Sequence, residues 1–293
     1  MKHNIINFVD NQYIIGIILA SILIVSLLLL LYVILKKQTK KHKFFVIQEL
    51  EKAYSPEKAV IPLNIFQTWH TKDLPKNMAE CVEKLKEDNP EFEHFLFDDY
   101  DCREFIKQYF KKDVLDAFDT LIPGAYKADL WRLCVLYIRG GIYMDIKMEC
   151  RNNFKLKYLT MSEHFVKDRI YSFIYYFGYY YGIYNAFMVC KAKNPFLMRC
   201  IRIIVKNVKN RNYGVSPLDP TGPMLLGREY KTKNWNFPLD MYHSNIDSSI
   251  IYKNISILSP YKTYRIEQKK YTKNKYYGEL WKLGKIYKNN TTL

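Results

Sequence analysis

Asp129 and Arg132 stand three residues apart in an otherwise apolar segment, and that pairing is the first chemical signal in the chain. At i,i+3 on a helix the two side chains share a face. Charges enter a buried helix only with a partner or a ligand. Just downstream, Tyr143, Asp145, Lys147 and Glu149 alternate with Ile142, Met144, Ile146 and Met148. A period of two predicts a strand with the charged set on one face. Three charges at a strand end suit a polyanionic ligand or the metal ion that accompanies it, because open α/β sheets bind ligands beyond the carboxyl ends of their strands. The plainer alternative is an Asp129–Arg132 ion pair beside a half-exposed strand.

The elements that must position these residues can be read on either side. Residues 126–139 carry Leu130, Trp131, Leu133, Cys134, Val135, Leu136 and Ile138, a helix apolar nearly all round and therefore enclosed by protein. Gly140 and Gly141 stop it. Upstream, residues 61–68 read as a first buried strand, 80–87 as a helix ended at Asn89-Pro90, and 92–97 as a second strand with Asp98 and Asp99 at its carboxyl end. Asp101-x-x-Glu104 has the spacing of a capping box. This alternation predicts an α/β fold with a mostly parallel, Rossmann-like sheet flanked by helices. Farther on, the tyrosine-rich residues 171–184 read as strand and loop, and 195–206 as a helix. From Asp219 the pattern is rich in turns, with Pro223 placed as a first helical residue. No internal repeat or second domain is visible.

Lys127-Ala128-Asp129-Leu130-Trp131-Arg132 followed by Gly140-Gly141-Ile142-Tyr143-Met144-Asp145 resembles the KADxxR…GGxYxD core of glycosyltransferase family 32. That family comprises sugar-binding DXD transferases, among them initiating α-1,6-mannosyltransferases, inositol phosphoceramide mannosyltransferases, and viral and bacterial enzymes. The ordered combination is far more specific than a lone D-x-D. The segment from Ile61 to Trp69 is similar to the family's first strand, with Phe66 where a histidine is usual. Asn185-Ala186-Phe187-Met188, Asn194-Pro195-Phe196-Leu197 and Thr221-Gly222-Pro223 resemble later blocks. Tyr277-Gly278-Glu279-Leu280-Trp281 is loosely similar to a closing tryptophan motif.

The resemblance implies a single GT-A-like catalytic domain over residues 59–293 behind a transmembrane helix. It also implies a GDP- or UDP-hexose donor, mannose first, and transfer to a glycan or glycolipid with retention of configuration. By the same resemblance Asp145 is the donor-site carboxylate, and Asp129 and Arg132 grip sugar hydroxyls, a task that suits a carboxylate and a guanidinium fork. Gln67, Trp69, Tyr143, Asn185 and Trp281 complete the donor site, Trp69 by stacking on the base, and Thr221 and Gly222 border the acceptor. The chain departs from the pattern at Lys147, where relatives place a second acid that ligates a divalent metal, usually Mn²⁺. Two readings stay open. Lys147 could supply one unit of positive charge to the pyrophosphate, or Glu149, with Glu279 a further candidate, could hold the metal with Asp145.

The 293 residues suffice for one α/β domain with a sizeable core. With 49% hydrophobic residues, 26 Tyr and 17 Phe, wholesale disorder is excluded. The net charge of +16 invites a nucleic-acid reading. Its lysines are scattered, however, and no basic helix or RNA-binding motif accompanies them, so no nucleic-acid partner is expected. The six cysteines form no C-x-x-C pair, which argues against a zinc site.

Residues 14–35 carry no charge and would span about 33 Å as a helix, enough for the bilayer core. The run is too long for a signal-peptide core and lacks a small-x-small cleavage site, so a single-pass anchor in the lipid bilayer is expected. A short tail (1–13) precedes it. A basic stem (36–58), helical over 43–53, follows. Lys36, Lys37, Lys40, Lys41 and Lys43 follow the anchor against Lys2 before it, which places the catalytic domain in the cytosol by the positive-inside rule. Golgi members of the family have the opposite, lumenal arrangement, and Asn254-Ile255-Ser256 is a glycosylation acceptor only there. Two rival functions use the same residues differently: a protein that binds nucleotide sugar or glycan without turnover, which Lys147 favours, and a membrane-surface scaffold whose lysines meet anionic lipid.

Overall fold

The computed structural model describes residues 2–169, 181–233, 235, 237–272 and 275–289, with side chains from residue 19 onward. Part of the tyrosine-rich stretch expected as strand and loop, residues 170–180, lies outside them. The chain divides into two units, residues 1–52 and 53–293. The first is one helix, α1 (Lys2–Ala53). From Leu19 it is long and apolar enough to cross a membrane by length and composition, with a mean hydropathy of 2.6. Leu23, Leu27, Leu30 and Val33 are all exposed along it. The basic stem is not a separate element up to Ala53; the helix runs through its lysines without a break.

The second unit is built on one mixed sheet, with nine strands among the described residues. Its strands are β1 (Asn64–Thr68), β2 (Glu93–Phe97), β3 (Gly141–Met144), β4 (Met148–Cys150), β5 (His164–Lys167), β6 (Ile183–Cys190), β7 (Met241–His243), β8 (Ile250–Tyr252) and β9 (Ile255–Pro260). Across the sheet they run β2-β1-β3-β6-β5-β7-β8-β9-β4. The α/β class with flanking helices is as expected, but the expected parallel character is confined to β2-β1-β3 and the β5–β7 pair. β6 is antiparallel to both neighbours, and β7, β8, β9 and β4 form an antiparallel run. The turn-rich region after Asp219 thus contains three short strands, too brief for alternation to reveal them.

Helices α2 (Lys76–Asp88), α3 (Asp99–Tyr109), α4 (Lys112–Thr120), α5 (Gly124–Arg139), α6 (Pro195–Lys209), α7 (Pro223–Thr232), α8 (Tyr264–Tyr271) and α9 (Tyr277–Lys282) complete the unit. The main core joins α5 through Leu130, Trp131 and Leu133 to α6 through Phe196, Cys200 and Ile204, and to Phe66 and Tyr143 on the sheet. A smaller cluster packs Met78 and Val82 of α2 with Ile146, Tyr261 and Tyr264. The capping box sits three residues earlier than the sequence placed it. Asp98 accepts from the Asp101 amide at 2.9 Å, and the Asp101 carboxylate accepts from the Asp98 amide in return. The helix starts at Asp99, so Asp98 is the extended residue before it whose short side chain reaches the N3 amide, and Asp101 is already inside the first turn.

Gly140 and Gly141 end α5 and start β3 at φ +64° and +120°. A Cβ on Gly141 would lie 2.6 Å from the Asn64 carbonyl oxygen, so the glycine lets β3 approach β1. The strand then stops at Met144. Residues 145–147 turn, and the Met148 amide donates to the Asp145 carbonyl at 2.9 Å. The single strand expected through Glu149 is therefore two strands with a turn between them, and the turn breaks the period-two face.

Candidate active site

Helix α5 and strand β3 deliver their charged side chains to one place. Asp129 and Arg132 occupy one face of α5 and are both buried, with Arg132 Nη2 3.4 Å from Asp129 Oδ1. The same Nη2 lies 3.6 Å from Asp145 Oδ1 at the end of β3. Between them stands Tyr143. The guanidinium lies over its ring at 4.5 Å, and its hydroxyl donates to Asp145 Oδ1 at 2.9 Å. Lys147, in the turn after β3, donates to Asp145 Oδ2 at 2.5 Å.

Strand β6 supplies the opposite wall. The Asp145 amide donates to the Ala186 carbonyl at 2.8 Å. The neighbouring Asn185 uses both its ends: its carbonyl oxygen accepts from Arg132 Nη1 at 2.9 Å, and its side-chain amide donates to Asp129 Oδ1 at 2.9 Å. Thr221 closes the set by donating its hydroxyl to Asp129 Oδ2 at 2.8 Å. Gly222 lies so close that a Cβ there would be 3.3 Å from the same oxygen. Asp129, Arg132, Tyr143, Asp145, Lys147, Asn185 and Thr221 thus form one hydrogen-bonded group drawn from a helix, two strands and two loops.

The two carboxylates are tuned apart. Burial pushes the Asp129 carboxyl above its ordinary range, and Arg132, Thr221 and Asn185 only partly counter it. Burial acts the same way on Asp145, but Lys147 and Arg132, with hydrogen bonds from Lys147 and Tyr143, more than offset it and hold that carboxyl low. Lys147 itself is raised: desolvation lowers it, and the charge of Asp145 outweighs that. Asp145 is therefore the fixed anion of the group.

The other expected residues divide. Trp69, at the end of β1, packs on the Met78 and Tyr264 cluster, with its indole N–H buried and unpartnered among the described residues. Tyr264 links it to Lys147, whose ammonium lies 5.9 Å from that ring. Gln67 does not join the group; it is fully buried and bonded to His94 Nε2 at 2.8 Å. Trp281 is tied through its indole N–H to the Tyr213 carbonyl at 2.7 Å and packs at the edge of the main core. Glu279 is exposed on α9.

Glu149 is the clearest departure. On β4 its residue pairs with Ser259, and its carboxylate bonds to Arg151 at 3.0 Å. Glu149 and Asp145, expected as candidates to share a metal ion, have the turn at 145–147 between them, and each carboxylate has its own cationic partner, Arg151 and Lys147. Among the described residues no group of three or more His, Cys, Asp or Glu is placed to hold a metal ion. All six cysteines are free thiols.

Two residues escaped the sequence reading. Tyr184, preceding Asn185, lies 5.8 Å from the Lys147 ammonium and stacks on His243 at 3.8 Å, and Asp168 holds that histidine at 2.9 Å. Its position next to Asn185 at the start of β6 was a usable clue. Tyr264, the first residue of α8, gave no local clue.

The set lies at the carboxyl end of β3, inside a segment that comparison with known proteins also singles out. Residues 75–166 match the family model described as glycosyltransferase sugar-binding region containing DXD motif. That segment holds Asp129, Arg132, Asp145 and Lys147.

Among particular relatives, inositol phosphoceramide mannosyltransferase 3 of Schizosaccharomyces pombe is 29% identical over 59% of this chain and 46% of its own. The initiation-specific alpha-1,6-mannosyltransferase of Candida albicans is 32% identical over 31% of this chain and 25% of its own. Mannosyl phosphorylinositol ceramide synthase SUR1 of Saccharomyces cerevisiae is 26% identical over 65% and 47%. The chain spans less than half the length of these relatives. Among solved structures, PaToxG glycosyltransferase aligns with 69% of this chain and 81% of its own at 18% identity and a TM-score of 0.47.

Proposed function

We propose that this protein is a membrane-anchored retaining glycosyltransferase that moves a hexose from a nucleotide-sugar donor to a glycan or glycolipid. The observation that carries the reading is the convergence of Asp129, Arg132, Tyr143, Asp145, Lys147 and Asn185 in one buried group. In this reading the hexose lies against Asp129 and Arg132, whose acceptors and fork of donors match vicinal hydroxyls. The pyrophosphate lies by Lys147, and the base by Trp69 across Tyr264.

In the transfer step the bond from the anomeric carbon to the pyrophosphate oxygen breaks, and a bond to the acceptor oxygen forms on the same face. The acceptor's proton passes to the departing pyrophosphate, so no protein base is needed. Positive charge held near that oxygen lowers the barrier. Mannose is the favoured sugar and a lipid-linked acceptor the favoured partner, because one relative named above is by its name an inositol phosphoceramide mannosyltransferase and another a mannosyl phosphorylinositol ceramide synthase. The apolar stretch of α1 supports anchoring in a bilayer, and the lysines after it favour a cytosolic catalytic unit.

The test is a panel of GDP- and UDP-hexoses offered to the detergent-solubilised chain with lipid-linked and free glycan acceptors. The expected result is transfer from one donor that Asp145→Asn reduces at least about 100-fold while the fold is kept. Full turnover by that variant would remove Asp145 from the reaction. The lysine bonded to Asp145 favours a second reading, a nucleotide-sugar binder without turnover. Saturable donor binding with neither transfer nor hydrolysis would support that reading instead.

A further inference from the structure

Transferases that carry a DXD sugar-binding region commonly use a divalent cation to meet the charge of the leaving pyrophosphate. The donor set of this chain does not fit such an ion. A Mn²⁺ or Mg²⁺ site needs free oxygen ligands, usually from more than one side chain or from one carboxylate and the substrate phosphates. The single acid here, Asp145, has both oxygens engaged: Oδ1 by the Tyr143 hydroxyl and Arg132, Oδ2 by Lys147. The Lys147 side chain is only 13% exposed, so its ammonium occupies the near side of that carboxylate. Glu149 is held away by Arg151.

We propose that the Lys147 ammonium, backed by Arg132, replaces the divalent cation, so that this protein binds its nucleotide-sugar donor without metal. The inference rests on the donor reading above. Two cationic groups reach the same Asp145 carboxylate, one through Oδ1 and one through Oδ2, and together they carry the two positive charges of a divalent ion. An ammonium has three N–H donors. Asp145 takes one, which leaves the other two to reach phosphate oxygens. The Tyr184 and Tyr264 rings, 5.8 and 5.9 Å from the nitrogen, flank the ammonium. Asp145 acts as a positioning residue that aims it, where a DXD acid would ligate metal.

The test measures binding of GDP and UDP to the detergent-solubilised full chain by titration calorimetry, in EDTA and in Mn²⁺. Bound Mn²⁺ is followed independently by paramagnetic resonance. The wild-type protein is expected to bind one nucleotide with a Kd that changes less than about threefold between the two conditions, and to hold no Mn²⁺ at the site. Lys147→Met should weaken that binding about tenfold or more in EDTA, the loss of one charge-assisted hydrogen bond to phosphate. Lys147→Arg should keep most of it. Lys147→Asp, which restores an acid two residues after Asp145, should bind nucleotide only when Mn²⁺ is present and should gain a bound-Mn²⁺ signal. Thermal melts confirm that each variant is folded, and Lys147→Arg keeps the comparison decisive should Lys147→Met fail to fold. Wild-type binding that needs Mn²⁺ would overturn metal independence while leaving the donor reading intact. No nucleotide binding in either condition would overturn both.

Discussion

Asp129 and Asp145 sit on either side of one guanidinium, and their proton affinities shift in opposite directions because, of the two buried carboxyls, only Asp145 has an ammonium in direct contact. For Asp129 the folded state holds its proton more tightly than the unfolded chain does. Its contribution to stability is therefore complete below the ordinary carboxylate pKa and is lost as pH rises through the raised folded value. Asp129→Asn removes that loss and keeps the shape, so its melting temperature at neutral pH should equal or exceed that of the wild type. Donor turnover should meanwhile fall about 10- to 100-fold, because the amide offers the sugar no charged acceptor. Paired calorimetry and kinetics would check this. A large fall in melting temperature would show that the ionised carboxylate holds the group together.

At the scale of the elements, two features of the sheet carry the site. Gly141 allows β3 to lie against β1 and so sets where Asp145 emerges. Gly141→Ala combines a disallowed φ with a backbone clash and should cost about 2–4 kcal/mol, read as a lower denaturation midpoint.

The β1–β2 edge carries a pH dependence instead. Burial, with Lys86 nearby, lowers the His94 pKa from 6.5 to about 4. Between those values the unfolded chain binds more protons, so stability falls as pH drops from about 6.5 to about 4. The loss should be about 2 kcal/mol once partial solvent screening is allowed for. His94→Gln should flatten that part of the curve in melts taken across it. Gln67 belongs to this pair, which is why it stands apart from the donor group although Trp69 is only two residues away.

For the whole molecule, one apolar helix and one compact α/β unit predict separable behaviour. Deleting residues 1–40 removes the exposed apolar stretch and leaves residues 53–293 whole. Such a chain should move from the detergent phase to the aqueous phase in a cloud-point partition while keeping nucleotide binding. Its retention in detergent would show that other surfaces hold the lipid. The scattered lysines behind the +16 charge show how little net charge says about a site. The ammonium that matters is Lys147, held in place by Asp145.

Local pattern was enough for α5, for the glycine break after it, and for Asp129 and Arg132 as a charged pair inside an apolar helix, since burial is a property of neighbours in the chain; Asp145 was marked by the motif, because the alternation that included it ends at Met144. The apolar stretch of α1 was legible for the same reason. Contacts between distant segments were not. Asn185 and Thr221 reach Asp129 across 56 and 92 residues, Tyr264 reaches Lys147 from α8, and β7, β8 and β9 are too short to show a period. Which groups meet Asp145 and Glu149 likewise turned on a three-residue turn that sends Lys147 onto Asp145 and sets Glu149 against β9. A reversal of backbone direction leaves no trace in residue alternation, so the folded chain alone decided which charge meets which.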